Sequence, residues 1–248
     1  MRRTTAFTLV ELLVALAITV VLVLLLASVV AATLGAWTQG RNRLDTSSKG
    51  RQILGRLSDE LNGATANPAV GGSQIQFVEN AALGAVPPPT PGTAENAFFV
   101  APYPNLGGGD LCTIAYSLDT STHELKRAFR SSDQVWTDPP ANRYQVSGYT
   151  YKPTDWHVIS TGVIQFEVKC FSQNDLDYNL APSYTWDSEA IDPFMAGKAP
   201  RRIVLRVQLL DDRTATRLAA MAIGSTPYIL IVQRWAQEFT AAISLPPP

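Results

Sequence analysis

Cysteine, histidine and methionine are scarce in this chain of 248 residues, at two, two and three copies. Two cysteines cannot build a dense disulfide scaffold or a four-thiolate zinc site. His123-Glu124 opens like a zincin motif, but Arg127 stands where the second histidine belongs, and Asp155-Trp156-His157 comes with no identifiable nucleophile. The G-x-S-x-G, Walker A and C-x-x-C patterns are missing as well. The reading is therefore not an enzyme, with no catalytic residue, metal ligand or cofactor. Asp175, Asp177 and Asn179 alternate like the first half of a calcium loop, yet Leu180 replaces the required glycine and Trp186 the bidentate glutamate, which leaves a solvated acidic turn. Charge is sparse too. Charged residues make up 17% of the chain, and 20 basic side chains against 21 acidic ones give a net charge of −1, so no nucleic-acid partner is expected. A hydrophobic content of 46% excludes a disordered chain.

Charge is absent altogether from Leu12 to Gly40, and 24 of the 30 residues from Phe7 to Ala36 are hydrophobic. As a helix, residues 12–34 would reach about 34 Å, enough to cross a hydrocarbon core of about 30 Å. A secretory signal with Arg2 and Arg3 as its basic region and a cut near Val29-Val30-Ala31 is the competing reading, but such signals have apolar runs of only about 7 to 15 residues. Glu11 heads this apolar helix. A carboxylate at bilayer depth costs on the order of 2.5 to 3.5 kcal/mol, so it needs a partner, or an interfacial position from which it snorkels to water.

The string Ala6-Phe7-Thr8-Leu9-Val10-Glu11-Leu12-Leu13-Val14, behind a short basic leader, resembles the type III signal of type IV pilins and pseudopilins. The resemblance implies that a membrane prepilin peptidase cuts between Ala6 and Phe7 and methylates the new amine of Phe7. Glu11 then becomes the assembly acid, five residues into the mature helix. Ala6 stands where the family usually has glycine, a small-for-small exchange. Loss of the leader removes Arg2 and Arg3, leaving 18 basic and 21 acidic side chains. Arg41, Arg43, Lys49 and Arg51 follow the span while only Arg2 and Arg3 precede it, so a cytoplasmic N-terminus and periplasmic head follow from the family and not from charge.

Beyond the span, Ile53, Leu54, Leu57 and Leu61 recur at helical spacing, with Arg51, Arg56, Asp59 and Glu60 on other faces, and Asn62-Gly63 provides a stop. Gly35, Gly40, Gly50 and Gly55 each cost about 1 kcal/mol against Ala, which reads either as local bending or melting or as ordinary tolerated glycines. After Gly63 the pattern turns to short alternating runs, predicting strands at 74–78, 97–101, 111–118, 124–129, 163–171 and 202–210, the third and fourth forming a hairpin around 119–123. Residues 87–92 and 106–110 read as loops, and 178–200 as a long surface loop. Ile229, Val232, Trp235, Phe239 and Ile243 fit a final helix, although 228–232 also reads as a strand, and 246–248 form a frayed tail. The fold class is α+β: a long N-terminal helix, part membrane span and part amphipathic, packed on an antiparallel β-sheet head of pilin-like form. Cys112 and Cys170 both lie on apolar faces. In an oxidising compartment a bridge between them would add about 4 kcal/mol, with two separate buried thiols as the alternative.

The runs Ala115-Tyr116-Ser117-Leu118, Leu125-Lys126-Arg127-Ala128-Phe129, Gly162-Val163-Ile164-Gln165-Phe166 and Ala199-Pro200-Arg201-Arg202-Ile203-Val204-Leu205 resemble the succession in J-type minor pseudopilins of type II secretion. Leu209 to Leu218, with Trp37, also resembles the prepilin-like cassette proteins of Verrucomicrobia. K-type pseudopilins typically lack the early acid, so Glu11 argues against that type. The resemblance implies a leader at 1–6, a transmembrane and assembly helix at 7–36, an amphipathic continuation at 37–62 and a periplasmic head at 63–248. It further implies an inner-membrane protein that enters a pseudopilus. Its partners would be the prepilin peptidase, other major and minor pseudopilins, the inner-membrane assembly platform and membrane lipid. A minor pilin for adhesion or DNA uptake, and a membrane-anchored binding domain, are the alternatives.

Overall fold

The computed structural model describes residues 9–70, 73–75, 77–79, 96–102, 111–137, 144, 153–172, 186–188, 195 and 197–245. The chain divides into two units, Met1–Asp45 and Thr46–Pro248. Helix α1 (Leu9–Asn62) supplies the described part of the first and opens the second. It is helical through all four glycines, so they are tolerated without local melting. Gly50 has a packing reason: a Cβ there would lie 2.6 Å from the Phe239 ring, so only glycine admits that close approach. Within the second unit α1 buries Thr46, Gly50, Ile53, Leu54, Leu57, Glu60 and Leu61. These positions recur every three or four residues, as one face of a helix must. Asn62 ends the helix and the Ala64 amide donates to the Leu61 carbonyl at 2.9 Å.

Among the described residues the strands form three sheets, all of antiparallel pairs. Strands β1 (Asn67–Val70) and β2 (Ser73–Ile75) pair with each other. Strands β3 (Val78–Glu79), β4 (Asn96–Pro102), β5 (Leu111–Asp119), β6 (Glu124–Arg130) and β7 (Trp156–Thr161) form a meander in chain order. Strands β8 (Val163–Phe171), β9 (Arg202–Leu209) and β10 (Gln237–Ser244) make the third sheet, with β9 in the centre. The chain passes from the second sheet to the third through one residue, Gly162, at φ 78°.

Leu57 and Leu61 of α1 meet Phe99, Tyr116 and Leu125 of one sheet and Phe166, Val168, Leu205 and Val207 of the other in one core. Phe77, Phe99 and Tyr116 stack in series, with centroids 6.2 and 6.4 Å apart. Each fully buried leucine contributes about 1.5 to 3 kcal/mol, so the α1 face alone holds helix to sheet by several kcal/mol.

Five predicted strands, β4, β5, β6, β8 and β9, appear with ends shifted by at most one residue, and the 119–123 hairpin forms. Four elements and one segment correct the sequence reading. The C-terminal helix α4 (Thr226–Trp235) stops where β10 begins, so Phe239 and Ile243 belong to a strand and 228–232 to a helix. Spacing of four fits a helix, but it is also twice the strand period, and Phe239, Ala241, Ile243 and Leu245 all face inward. Helix α3 (Asp212–Ala219) and edge strand β7 were not anticipated. Nor is 178–200 wholly surface: Trp186, Met195 and Pro200 are buried, the Trp186 indole donates to the Lys198 carbonyl at 3.2 Å, and the Ser188 amide donates to the Phe77 carbonyl at 3.0 Å. Helix α2 (Ser132–Trp136) is a single capped turn after β6. The expected loops at 87–92 and 106–110, the acidic turn at Asp175, Asp177 and Asn179, and the tail at 246–248 lie outside the described residues.

Candidate assembly segment and its anchorage

Glu11 sits in the first described turn of α1. Around and after it the apolar side chains face outward: Leu9, Leu12, Leu16, Leu24, Leu26 and Leu34 are all exposed by more than half. The polar side chains in this stretch bond to their own helix. Thr19 donates to the Ala15 carbonyl, Ser28 to Leu25 and Thr33 to Val29, each at 2.8 Å. Thr38 donates to Leu34 and Gly35 at 3.0 and 2.9 Å. Hydroxyls satisfied in this way do not oppose transfer into lipid, where an unbonded polar group costs several kcal/mol. By length and composition, α1 suffices to cross a membrane. Ala6 and Phe7 lie outside the described residues.

In the second unit α1 is anchored by a polar cluster that sequence reasoning missed. Glu60, read as lying off the apolar face, is buried. Its carboxylate accepts from the Tyr116 hydroxyl at 2.5 Å and from Arg127 Nε at 3.2 Å, and Arg127 Nη2 lies 2.9 Å from the other oxygen. Arg56, one turn earlier, reaches the same carboxylate at 3.3 Å. Burial, followed by the adjacent Glu60 charge, pushes the Tyr116 phenol well above its ordinary range, so it remains a donor. The signal was available, because Glu60 is three residues after Leu57 and seven after Ile53, on the buried stripe itself.

A second tie joins α1 to α3. Lys49 Nζ contacts both oxygens of Asp212 at 2.8 and 2.9 Å, and Thr161 Oγ1 donates to Asp212 at 3.0 Å. The Lys49 hydrogen bond holds the Asp212 carboxyl below its usual value. Asp211 caps α3, accepting from the Thr214 amide at 3.1 Å.

At the β5–β6 turn the Asp119 carboxylate accepts from Ser121 N at 3.0 Å, Ser121 Oγ at 2.6 Å and Lys126 Nζ at 2.7 Å. Partial burial favours the neutral acid, but the bonds from Lys126 and Ser121 together outweigh it and hold Asp119 well below the carboxylate range. A depressed folded pKa gives stability that is present above the unfolded value of about 3.9 and lost as pH falls through the folded value. Urea midpoints are therefore expected to fall more steeply below about pH 4 for the native protein than for Asp119→Asn; parallel curves would refute this.

Cys112 on β5 and Cys170 on β8 are buried in different sheets as two separate cysteines. Burial pushes the Cys112 thiol up, which leaves it a small apolar side chain and not a nucleophile. His123 is buried at the left-handed turn position, φ 56°, and burial lowers its pKa. Among the described residues no three His, Cys, Asp or Glu side chains form a group that could hold a metal ion.

These observations define a class: an α+β protein whose antiparallel sheets are bound to the second part of a long helix, the first part of which is an exposed apolar segment with an acid in its first turn. Residues 1–34 match the family described as the prokaryotic N-terminal methylation motif. The N-terminal segment is thus of the prepilin type found in type IV pilins and pseudopilins. No curated protein matches the chain. Among solved structures, a type IV-like pilin from Thermus thermophilus is similar at 12% identity, covering 82% of this chain and 96% of that one, with a TM-score of 0.38.

Proposed function

We propose that the protein is a minor pseudopilin-like structural subunit of a type II secretion pseudopilus. It is inserted with its N-terminus cytoplasmic and its head periplasmic, cut between Ala6 and Phe7 by a prepilin peptidase, and methylated on Phe7. It then leaves the inner membrane for the filament, at or near the tip. The observation that carries this reading is the match of residues 1–34 to the methylation motif, with Glu11 in the first turn of an exposed apolar helix. The chemistry supports it. A freshly made N-terminal ammonium is costly in hydrocarbon, and so is a carboxylate; Glu11 of one subunit and the Phe7 amine of the next relieve each other when helices pack. In this reading residues 1–6 are the leader, 7–36 the assembly helix, 37–62 its amphipathic continuation and 63–248 the head.

Intact mass of the protein recovered from membranes tests the processing step. A chain beginning at methylated Phe7 is the expected result, whereas a chain cut near Ala31 or retaining Met1 refutes it. Glu11→Ala is expected to leave insertion and cleavage intact while lowering incorporation into filaments more than about tenfold, because it strands an ammonium in hydrocarbon at roughly 2.5 kcal/mol or more. Normal incorporation of that variant would sink the pairing.

A further inference from the structure

Among the described residues of the unit Thr46–Pro248 six large apolar side chains are exposed, and four of them, Ile223, Ile229, Leu230 and Trp235, fall within thirteen residues of chain. They lie on α4 and on the turn that joins it to α3. Helix α4 turns Tyr228, Ile231 and Val232 inward against Leu210, Ala215 and Leu218. Its opposite face carries Ile229, Leu230 and Arg234, with no buried residue in the helix at all.

The same two helices carry positive charge. Arg213 and Arg217 of α3 and Arg234 of α4 are exposed. Among the described residues no carboxylate pairs with any of the three, and the Arg234 guanidinium lies 5.4 Å from the Trp235 ring centroid. The nearby acids are engaged elsewhere: Asp211 on Thr214, Asp212 on Lys49 and Glu238 on Arg206. Exposed Ile and Leu together with Trp and unpaired arginines is the composition of helices that lie in a lipid interface, where apolar side chains enter the acyl boundary and guanidinium groups meet anionic headgroups.

We infer that the outer face of α4, with Ile223, Ile229, Leu230 and the arginines of α3 and α4, docks on an anionic lipid surface while the protein is membrane-anchored. The inference rests on the span reading of residues 7–36, and the experiment separates the two. The full chain is reconstituted in phosphatidylcholine vesicles with or without phosphatidylglycerol and washed at alkaline pH. It carries a fluorophore on Leu230→Cys, or on Val158→Cys as an exposed control on edge strand β7; the two native cysteines are buried. Quenching by nitroxide-labelled lipid is then measured.

The expected result is retention on washing, strong quenching at position 230 but not at 158, an increase with phosphatidylglycerol, and a fall of about fivefold in the docked-to-free ratio for each of Arg213→Gln and Arg217→Gln. Equal, weak quenching at both positions in retained protein overturns the docking. So does quenching at 230 only by a nitroxide-labelled second copy of the chain, which would make the face a protein interface. Loss of the chain on washing overturns the span reading and the docking with it.

Discussion

Arg127→Met is expected to destabilise the head by about 3 to 5 kcal/mol, the usual cost of leaving one member of a buried ion pair without its partner. Glu60 and Arg127 expose only 7% and 9% of their side chains, so water cannot replace the lost cation. Arg127 donates one hydrogen bond, from Nε to a carboxylate oxygen at 3.2 Å, and holds Nη2 2.9 Å from the other oxygen as an ion pair, while packing 4.8 Å from the centroid of the Phe129 ring. A lysine ammonium is a compact, strongly hydrated charge that cannot keep the planar guanidinium's place beside the Phe129 ring, so Arg127→Lys is expected to recover only part of the loss. Arg56 cannot take over, since its side chain is 47% exposed and reaches the carboxylate from the rim. For a unit of this size the loss corresponds to a fall of about 10 °C in Tm, read by circular dichroism. Adding Glu60→Gln to Arg127→Met should restore much of it by removing the stranded charge. A single variant that melts within a degree or two of the native protein would show that the cluster contributes little.

Gly162→Ala is expected to cost about 2 to 5 kcal/mol, the sum of a left-handed conformation for a residue with a Cβ and a clash against backbone. Gly162 has φ 78°, and a Cβ there would meet the Leu210 carbonyl oxygen at 2.5 Å. Leu210 cannot retreat easily, because its amide donates to the Gly162 carbonyl at 2.9 Å and its side chain is buried. Gly224 is the internal comparison: it has nearly the same φ, 81°, but nothing within 4 Å of an added Cβ. Gly224→Ala should therefore show the conformational cost alone, about 1 to 2 kcal/mol. Urea midpoints of the two variants measure the difference. Equal midpoints would mean that the corner between the sheets relaxes at little cost, and that the close approach to Leu210 does not hold them in place.

The elements legible in the sequence were those whose local pattern has one meaning. Strand β9, with alternate residues fully buried, reads as a strand in any context. β10 carries an equally strict alternation, but its largest apolar residues are four apart, a spacing that both periods accept. β7 lies at the edge of its sheet, with His157 and Val158 both exposed, so it has no alternation to read. Helix α3 had a readable cap in Asp211, but at eight residues it was too short for its period to stand out.

The N-terminal segment is where sequence alone determined most. Its apolar length, the absence of charge from Leu12 to Gly40 and the single acid at Glu11 are local properties of one helix, and they require no partner elsewhere in the chain to be recognised. Tertiary structure alone decided the rest. It decided that Glu60 is a buried anchor and not a solvated side chain, because the cation that satisfies it is 67 residues away on β6. It decided that Gly50 admits the ring of Phe239, and that Gly162 turns one sheet into the next. Those meanings depend on which distant groups arrive at the same place, and a one-dimensional pattern carries the periodicity of an element but not the identity of its neighbours.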